Sequence, residues 1–263
     1  MTTHPARKRA AEQFHRQAGE YARSPAHFNA ESLKIIGELA REQRFPIAVD
    51  IATGPGFTAF EISNTVDTVL ATDPAIGMLQ QVRRLAKKRK IYNINLVALE
   101  AENLPFRDQS VDLVTVRTAP HHFTDVDRFL RESKRVLRQH GSLILADTSS
   151  PESKKAEKWM DDVERRRDPT HIRNLSSSAW RKSITRAGLV INFEGSARVE
   201  LKLMDWLKRS ATPEDESERL IHDWSNAPGY AVETFRIVRL PGKPEDFAFS
   251  WPIYVARASV ATR

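Results

Sequence analysis

A carboxylate precedes a glycine-rich turn in the stretch FPIAVDIATGPGFTAFEI, residues 45–62. The stretch is typical of a short apolar strand, a turn and the start of a helix. Asp50 lies at the end of the strand, where hydrophobic burial alone does not favour an acid. The turn GPGFTA, residues 54–59, satisfies the G-x-G-x-x-G/A pattern of dinucleotide-binding proteins, and a second acid, Asp73, ends the next strand. On this pattern alone, a dinucleotide-dependent dehydrogenase is one candidate.

The position of Asp50 argues against a dinucleotide. A dinucleotide places its pyrophosphate at the turn, where the helix dipole and the amide N–H groups favour an anion, and the carboxylate of Asp50 would repel it. S-adenosylmethionine carries an ammonium and a sulfonium group but no phosphate, and its ribose hydroxyls still require an acid. We therefore expect the cofactor to be S-adenosyl-L-methionine, with S-adenosyl-L-homocysteine as the product, rather than NAD.

Two histidines and an acid follow two further predicted strands. His121 and His122 come after SVDLVTVRT, and Asp147 lies at the end of GSLILADT. The carboxyl ends of parallel strands share the edge where such folds bind ligands, so these side chains should lie close together. An imidazole oriented by a carboxylate is a workable general base, and we favour His122 as the base with Asp147 as its orienting group. His121 is the rival base, and the alternative is that the histidines only shape the loop.

Other chemistry is constrained by residue types. Adjacent side chains on an extended chain point apart, so His121 and His122 are not a natural pair of metal ligands, and we expect no metal. The chain has no cysteine, which excludes disulfides, thiolate metal sites and the thiolate-dependent methylation of cytosine. His171, in a loop after the core, lies either in an acceptor pocket or at the surface.

Strands and helices alternate along the chain. After the opening motif, strands are predicted at 67–73, 94–99, 110–118, 141–148 and 188–201. Helices are predicted at 29–40, 75–90, 126–137, 151–167 and 176–187. Strand, helix and strand in rotation predict a parallel sheet with helices on both faces. The tail, residues 234–258, is typical of two strands joined by a Pro-Gly turn, which indicates antiparallel pairing at the sheet edge.

The predicted fold is therefore α/β, a Rossmann-like, doubly wound sheet of seven strands that is mostly parallel with an antiparallel edge strand. Residues 1–28 would form a polar N-terminal arm or lid, and residues 29–263 one domain. Within that domain the core spans 45–150, and acceptor-side insertions and the final strands span 151–263. A chain of 263 residues is long enough for one such domain with a single core.

The net charge of +7 raises the question of nucleic acid as a partner. The basic runs RRLAKKRK, residues 83–90, and ERRR, residues 164–167, are better explained as the solvated faces of amphipathic helices. No run of 18 apolar residues and no secretory signal is present, so we expect a cytoplasmic protein with no membrane span. The sequence leaves the oligomeric state open.

These motifs resemble the class I methyltransferases, in particular the branch of the ubiquinone and menaquinone biosynthesis enzymes. The resemblance covers residues 45–147 through four segments: VDIATGPG, LATDPAIGML, EAENLPFRDQSVDLVTVRTAPHHF and FLRESKRVLRQHGSLILAD. One departure is Ala52, where the family more often has glycine, and we expect this replacement to cost little.

The resemblance implies a role for each matching residue. The methionine part of the cofactor would be surrounded by Asp50, Ala52, Gly54 and Gly56. The adenosine would be contacted by Asp73 at the ribose, Met78 near the adenine, and Glu100, Ala101 and Glu102 at the adenine edge. Arg117 would lie near the sulfonium, and Tyr21, in the arm, would be a further contact from a segment that closes over the cofactor in relatives.

The expected function is transfer of a methyl group from S-adenosylmethionine to oxygen, nitrogen or carbon of a small organic metabolite. One alternative is an RNA methyltransferase that acts on ribose or ring nitrogen. The other is a non-catalytic nucleotide-binding protein on the same scaffold.

Overall fold

The computed structural model describes residues 4–260, and its centre is one sheet. The strands, in chain order, are β1 Phe45–Ile51, β2 Val66–Thr72, β3 Ile94–Val97, β4 Val111–Arg117, β5 Leu137–Ser150, β6 Leu175–Ser176, β7 Leu189–Lys202, β8 Val238–Arg239 and β9 Phe247–Val260.

The strand order confirms the predicted fold class. Seven strands form the path β3-β2-β1-β4-β5-β9-β7, while the two-residue strands β6 and β8 pair with β5 and β9. The strands β1 to β5 are mutually parallel, whereas β9 runs antiparallel to both β5 and β7. The reversed strand thus lies one place inside the edge, and β7 closes the sheet.

Helices flank the sheet and also extend beyond its carboxyl edge. They are α1 Pro5–Arg23, α2 Pro25–Phe28, α3 Glu31–Arg41, α4 Phe57–Ile62, α5 Ile76–Arg89, α6 Val126–Val136, α7 Lys154–Arg167, α8 Ser177–Arg186, α9 Leu203–Arg209, α10 Glu214–Ser225 and α11 Gly229–Phe235, with a 3₁₀ turn at Pro120–His122. The helices α9, α10 and most of α11 lie in a segment that was not assigned from the sequence. The end of α11 overlaps the predicted tail, whose first strand is reduced to β8. The helix α1 occupies most of the predicted arm.

The core has one layer on each face of the sheet because successive side chains of a strand point to opposite faces. In β1, Val49 packs into the layer that contains Trp180 of α8, whereas Ala48 packs into the layer that contains Ile36 of α3. A third cluster lies between α7, α9, α10, α11 and the outer ends of β7 and β9. We call it the tryptophan cluster; its largest members are Trp206, Trp224, Phe235, Phe249 and Trp251.

The two basic runs have different environments. Arg83, Arg84 and the other basic side chains of residues 83–90 are exposed on α5, as predicted. For residues 164–167 the prediction holds for Arg165, which is exposed, but is wrong for Glu164 and Arg167, which are buried at the end of α7 beside the tryptophan cluster. None of the helices within residues 4–260 is long and apolar enough to cross a membrane.

Two strand ends have unusual backbone conformations. Ala52, directly after β1, has φ of 49°, and Thr118, directly after the adjacent β4, has φ of 48°. A residue with a side chain loses roughly 1–2 kcal/mol in the left-handed region. The expectation that alanine at position 52 costs little is therefore wrong, because the turn requires a conformation that glycine adopts without strain.

Replacing Ala52 by glycine should stabilise the protein. Relief of the left-handed strain outweighs the greater freedom of glycine in the unfolded chain, so Ala52→Gly should raise the free energy of unfolding by about 0.5–1 kcal/mol. Denaturant unfolding measures the change. The control is Ala48→Gly in β1, where the backbone is extended and the methyl group is buried; it should destabilise the protein by about 1 kcal/mol or more. A loss of stability in Ala52→Gly would contradict the strain argument.

Candidate functional site

A cavity lies at the carboxyl edge of the parallel strands and is covered by α1. It is continuous from the glycine turn after β1 to the tryptophan cluster. The predicted site residues that line it are Tyr21, Ala52, Gly54, Asp73, Met78, Glu100, Ala101, Glu102, Arg117, His121 and His122. Three predicted residues do not line it: Asp50, Gly56 and Asp147 lie behind its wall.

Asp50 supports the glycine turn from the side that faces away from the cavity. Its carboxylate accepts hydrogen bonds from the hydroxyl groups of Thr53, at 2.5 Å, and Thr115 of β4, at 2.7 Å. Burial raises the pKa of Asp50 to about 6 despite these bonds. The carboxylate therefore fixes Thr53, which lines the cavity, rather than facing a ligand itself.

The two glycines of the turn have different tasks. Gly56 caps the N-terminus of α4 with φ of 93°, and a Cβ atom there would lie 2.9 Å from the ring of Phe60. Gly54 has φ of 54°, and a Cβ atom there would meet nothing within 4 Å. Gly56 thus permits close packing of the turn on the core, whereas Gly54 leaves its backbone open to the cavity.

Asp73 joins the turn to the next helix. Its two carboxylate oxygens accept hydrogen bonds from the backbone N–H groups of Gly54, at 3.0 Å, and Ala75, at 2.8 Å. Burial raises the pKa of Asp73 to about 6. The side chain also lines the cavity beside Met78, which packs with Ala75 and with Ala18 of α1.

Glu100 and Glu102 hold α1 over this end of the cavity. The guanidinium of Arg7 lies 2.9 Å from Glu100 Oε2 and 3.2 Å from Glu102 Oε1. Glu102 is buried and also accepts hydrogen bonds from the N–H and hydroxyl groups of Thr124. Of the two acids, Glu100 is the more exposed and the more available to a ligand.

Further polar contacts fasten the middle of α1. Gln13 donates to Asp168 at 2.8 Å, and the N–H of Gly77 donates to His15 at 3.0 Å. The ring of Tyr21 lines the cavity and packs edge-on against the ring of His27 at 5.1 Å between centroids. The helix α1 therefore covers the cavity, and both its ends and its middle are attached to other elements.

Arg117 lies at the end of β4 beside the glycine turn. It donates from Nε to the hydroxyl of Thr58 at 3.1 Å and from Nη2 to the carbonyl oxygen of His27 at 2.9 Å. Burial lowers the pKa of Arg117 to about 10, so the side chain is charged at neutral pH. The cavity therefore has a fixed positive charge near the N-terminus of α4.

Asp147 pairs with His121 and not with His122. The distance from His121 Nδ1 to Asp147 Oδ1 is 2.7 Å, whereas His122 Nδ1 lies 3.1 Å from the carbonyl oxygen of Thr170. The favoured base and orienting group, His122 with Asp147, do not form a pair. The two histidines belong to a 3₁₀ turn, which rotates successive side chains by about a third of a turn, and only His121 faces β5.

The pair is buried, and burial favours the uncharged form of each partner. Burial lowers the pKa of His121 to about 3 and raises that of Asp147 to about 8. Because Nδ1 of His121 is occupied by Asp147, Nε2 is the ring nitrogen left to act on a ligand. The hydroxyl of Thr148 also lies 3.1 Å from His121 Nδ1.

His171 is neither in the cavity wall nor at the surface. It is buried, its ring centroid lies 5.5 Å from that of His121, and its nearest acid is Asp161 at 3.7 Å. No group of three His, Cys, Asp or Glu side chains within the described part of the chain is arranged to hold a metal ion.

Several residues of the site were missed from the sequence. Thr115, which supports Asp50 behind the cavity wall, had a usable signal, since it interrupts an apolar strand. Arg7 had no signal in the sequence, because its partners lie more than 90 residues away along the chain. Arg167 was assigned to a solvated face, and Trp206, Arg209 and Trp251 lie in segments whose place in the fold depends on the third cluster.

Comparison with known proteins agrees with this architecture. A sequence profile for the family described as "Methyltransferase domain" matches residues 49–145. The protein named "Uncharacterized methyltransferase YcgJ" from Bacillus subtilis (strain 168) is 30% identical over 235 residues, which span 89% of this chain and 93% of that protein. The crystal structure of YcgJ superposes with a TM-score of 0.81 at 29% identity, covering 88% of this chain and 99% of the other.

Two other relatives match shorter parts. YafE from Escherichia coli (strain K12) is 35% identical over 159 residues, 60% of this chain and 77% of that protein. The ubiquinone/menaquinone biosynthesis C-methyltransferase UbiE from Pseudoalteromonas translucida (strain TAC 125) is 34% identical over 108 residues, 40% of this chain and 43% of that enzyme. Together with the strand order and the cavity at the carboxyl edge, these matches show that the chain belongs to the class I S-adenosylmethionine-dependent methyltransferases.

Proposed function

We propose that the glycine-turn end of the cavity binds S-adenosylmethionine and that the rest of the cavity binds a small organic acceptor. The observation that carries the proposal is the continuity of one cavity from Asp73 to His121 and on to the tryptophan cluster. A cofactor and an acceptor can therefore meet within it, under the cover of α1.

The residues present fit this cofactor. Asp73 is a buried carboxylate whose oxygens meet only two N–H groups, so it retains lone pairs for ribose hydroxyls. Glu100, Ala101 and Met78 line the neighbouring wall, where the adenine would lie. The guanidinium of Arg117, beside Thr58 in the first turn of α4, would hold the methionine carboxylate.

Two acidic side chains disfavour a pyrophosphate at the turn, although Arg117 lies beside it. Asp73 lies in the cavity wall directly at the glycine turn, and Asp50 lies behind that turn. The carboxylate of Asp50, with that of Asp73 close to it, would repel a pyrophosphate at the turn, whereas both tolerate a ligand with an ammonium and a sulfonium group. When bound, S-adenosylmethionine supplies an electrophilic methyl group on its sulfonium.

The enclosure of the cavity supports a small acceptor rather than a nucleic acid. The helix α1 lies across the cavity and is held there by Arg7, Gln13 and His15, so an acceptor must fit beneath it. UbiE, whose name describes a C-methyltransferase of quinone biosynthesis, supports the same class of acceptor. Alignment of acceptor, methyl group and sulfur within the cavity would supply much of the rate.

His121 is the residue we propose as general base. It lines the cavity, its Nδ1 is held by Asp147, and its Nε2 remains to take a proton from an acceptor hydroxyl, amine or acidic carbon. Once ionised, Asp147 would select the tautomer that has the proton on Nδ1 and would stabilise the imidazolium formed on proton transfer.

The first prediction concerns cofactor binding. Asp73→Asn should weaken binding of S-adenosylmethionine or S-adenosylhomocysteine by roughly tenfold or more, because a charge-assisted hydrogen bond contributes about 1.5–3 kcal/mol. Isothermal calorimetry measures the affinity. The control is Asp67→Asn at the start of β2, an exposed acid paired with Arg44, which should leave the affinity unchanged. Saturable binding of NADH in place of S-adenosylmethionine would contradict the assignment of S-adenosylmethionine as the cofactor.

The second prediction concerns the base. With an acceptor that must lose a proton, His121→Ala should lower turnover by about 10²–10⁴ and leave cofactor affinity almost unchanged. The assay follows a labelled methyl group from S-adenosylmethionine into small molecules of a cell extract. His140→Ala, an exposed histidine, is the neutral control. If His122→Ala has the larger effect, the assignment of the base to His121 is wrong.

The third prediction is a pH profile. Below the pKa of about 8, Asp147 is protonated, its O–H donates to Nδ1, and the ring proton lies on Nε2. Above it, Nδ1–H donates to the carboxylate and Nε2 can accept a proton. Turnover should therefore rise with pH through about 8, and Asp147→Asn should remove this rise. If turnover of Asp147→Asn rises with pH in the same way, a group other than Asp147 causes the pH dependence.

A further inference from the structure

The outer end of the cavity combines aromatic walls with two buried arginines. Trp206 of α9 and Trp251 of β9 line it together with Val199 and Leu201 of β7. Arg167 and Arg209 line the same region, with relative exposures of 7% and 3%. Burial of a guanidinium group in an apolar wall is costly unless an anion or several acceptors compensate it.

Arg209 is incompletely compensated. Its Nη1 donates to the hydroxyl of Ser24 at 2.6 Å and lies 3.5 Å from Asp205, an acid that is more than half exposed. Its Nε is buried and has no hydrogen-bond partner among residues 4–260. Burial and the neighbouring Arg167 lower the pKa of Arg209, which shows that the folded protein disfavours this charge.

Arg167 is held in place by neutral groups and by one acid of the wall. Its Nε donates to the carbonyl oxygen of Trp206 at 3.3 Å, and its guanidinium lies 4.9 Å from the centroid of the Trp206 ring. Glu164 lies 3.5 Å away and lines the cavity. Asp168, at 3.8 Å, lies outside the wall and accepts hydrogen bonds from Gln13 and Thr170.

The cavity wall at this end therefore has an excess of positive charge. Arg167 and Arg209 line it. Burial, together with the charges of Arg209, Arg117 and Arg167, lowers the pKa of His27, a residue of α2. Glu164 is the acid that lines the wall near Arg167. Arg117 is hydrogen-bonded to Thr58 at the glycine turn. The positive charge of Arg209 is therefore available to the methyl acceptor.

The glycine turn and the aromatic wall lie on different strands of the sheet. The glycine turn follows β1, whereas Trp251 belongs to β9, three strands further along the sheet. Neighbouring strands are about 4.8 Å apart, so β1 and β9 lie roughly 14 Å from each other. His121 follows β4, which lies between these strands, and the charge of Arg167 acts on its ring, so an acceptor at His121 lies near this arginine.

We infer that the methyl acceptor carries an oxyanion, either a carboxylate or a phosphate, which Arg209 and Arg167 bind. The apolar body of the acceptor then packs against Trp206 and Trp251. Guanidinium groups donate paired hydrogen bonds to such oxyanions, and the unpartnered Nε of Arg209 supplies one of the donors. The inference rests on the proposed function, because it names the substrate class of the same cavity.

The test separates acceptors by charge before the reaction. A protein-free cell extract is divided on an anion exchanger at neutral pH, and each fraction is incubated with the full-length enzyme and methyl-labelled S-adenosylmethionine. We expect label to be incorporated from the retained fraction. Pre-treatment of that fraction with phosphatase abolishes labelling if the oxyanion is a phosphate and leaves it unchanged if it is a carboxylate.

Variants then assign the recognition to Arg209. Arg209→Gln should reduce labelling from the retained fraction by roughly tenfold to a hundredfold, the range for charge-assisted hydrogen bonds, through a higher KM. Arg209→Lys should restore part of the loss. Calorimetry should show S-adenosylmethionine affinity unchanged in both variants. The matched control is Arg84→Gln on the exposed face of α5.

Three results would overturn the inference. Labelling only from the unretained fraction means that the acceptor is neutral or cationic. Loss of S-adenosylmethionine binding in Arg209→Gln means that this arginine serves the cofactor. Absence of label from every fraction, although S-adenosylmethionine binds, contradicts the proposed transfer itself, and the inference then falls with it.

Discussion

The buried carboxylate of Asp50 is the constraint on which the cavity depends. An acid with almost no exposure is stable only when hydrogen bonds replace its water, and here the hydroxyl groups of Thr53 and Thr115 do so. These bonds join the turn after β1 to the adjacent strand β4. Asp73 adds the link from the same turn to α5. The left-handed backbone at Ala52 is held by this network, so local strain and buried charge both shape the glycine-turn end of the cavity.

The two ends of the cavity are built by different means. The glycine-turn end consists of strand termini and short turns, whose positions follow from the hydrogen-bonded register of β1, β2 and β4. The opposite end consists of α7, α9 and the outer parts of β7 and β9, which the tryptophan cluster packs together. Side chains such as Arg167 and Arg209 thus depend on packing between distant segments. A scaffold of this kind permits one cofactor site to serve many acceptors.

The helix α1 connects both ends. Arg7 contacts Glu100 and Glu102 beside the proposed adenine position, Gln13 contacts Asp168 next to Arg167, and Tyr21 lies near His27. The polar contacts are partly buried or buried, so they are screened less by solvent than surface pairs. Any movement of α1 that admits ligands must therefore break contacts at both the glycine-turn end and the opposite end.

The sequence by itself determined the fold class, the methyltransferase family and most of the residues that line the cavity beside the glycine turn, because those features depend on local patterns: the glycine turn, alternating strands and helices, and acids at strand ends. Only the tertiary structure decided which histidine meets Asp147, since the 3₁₀ turn at Pro120–His122 sets the direction of each ring. It also decided that Asp50 supports the turn from behind and that Arg167 faces the cavity. Such outcomes depend on contacts between residues far apart in the chain, which no spacing along the sequence encodes.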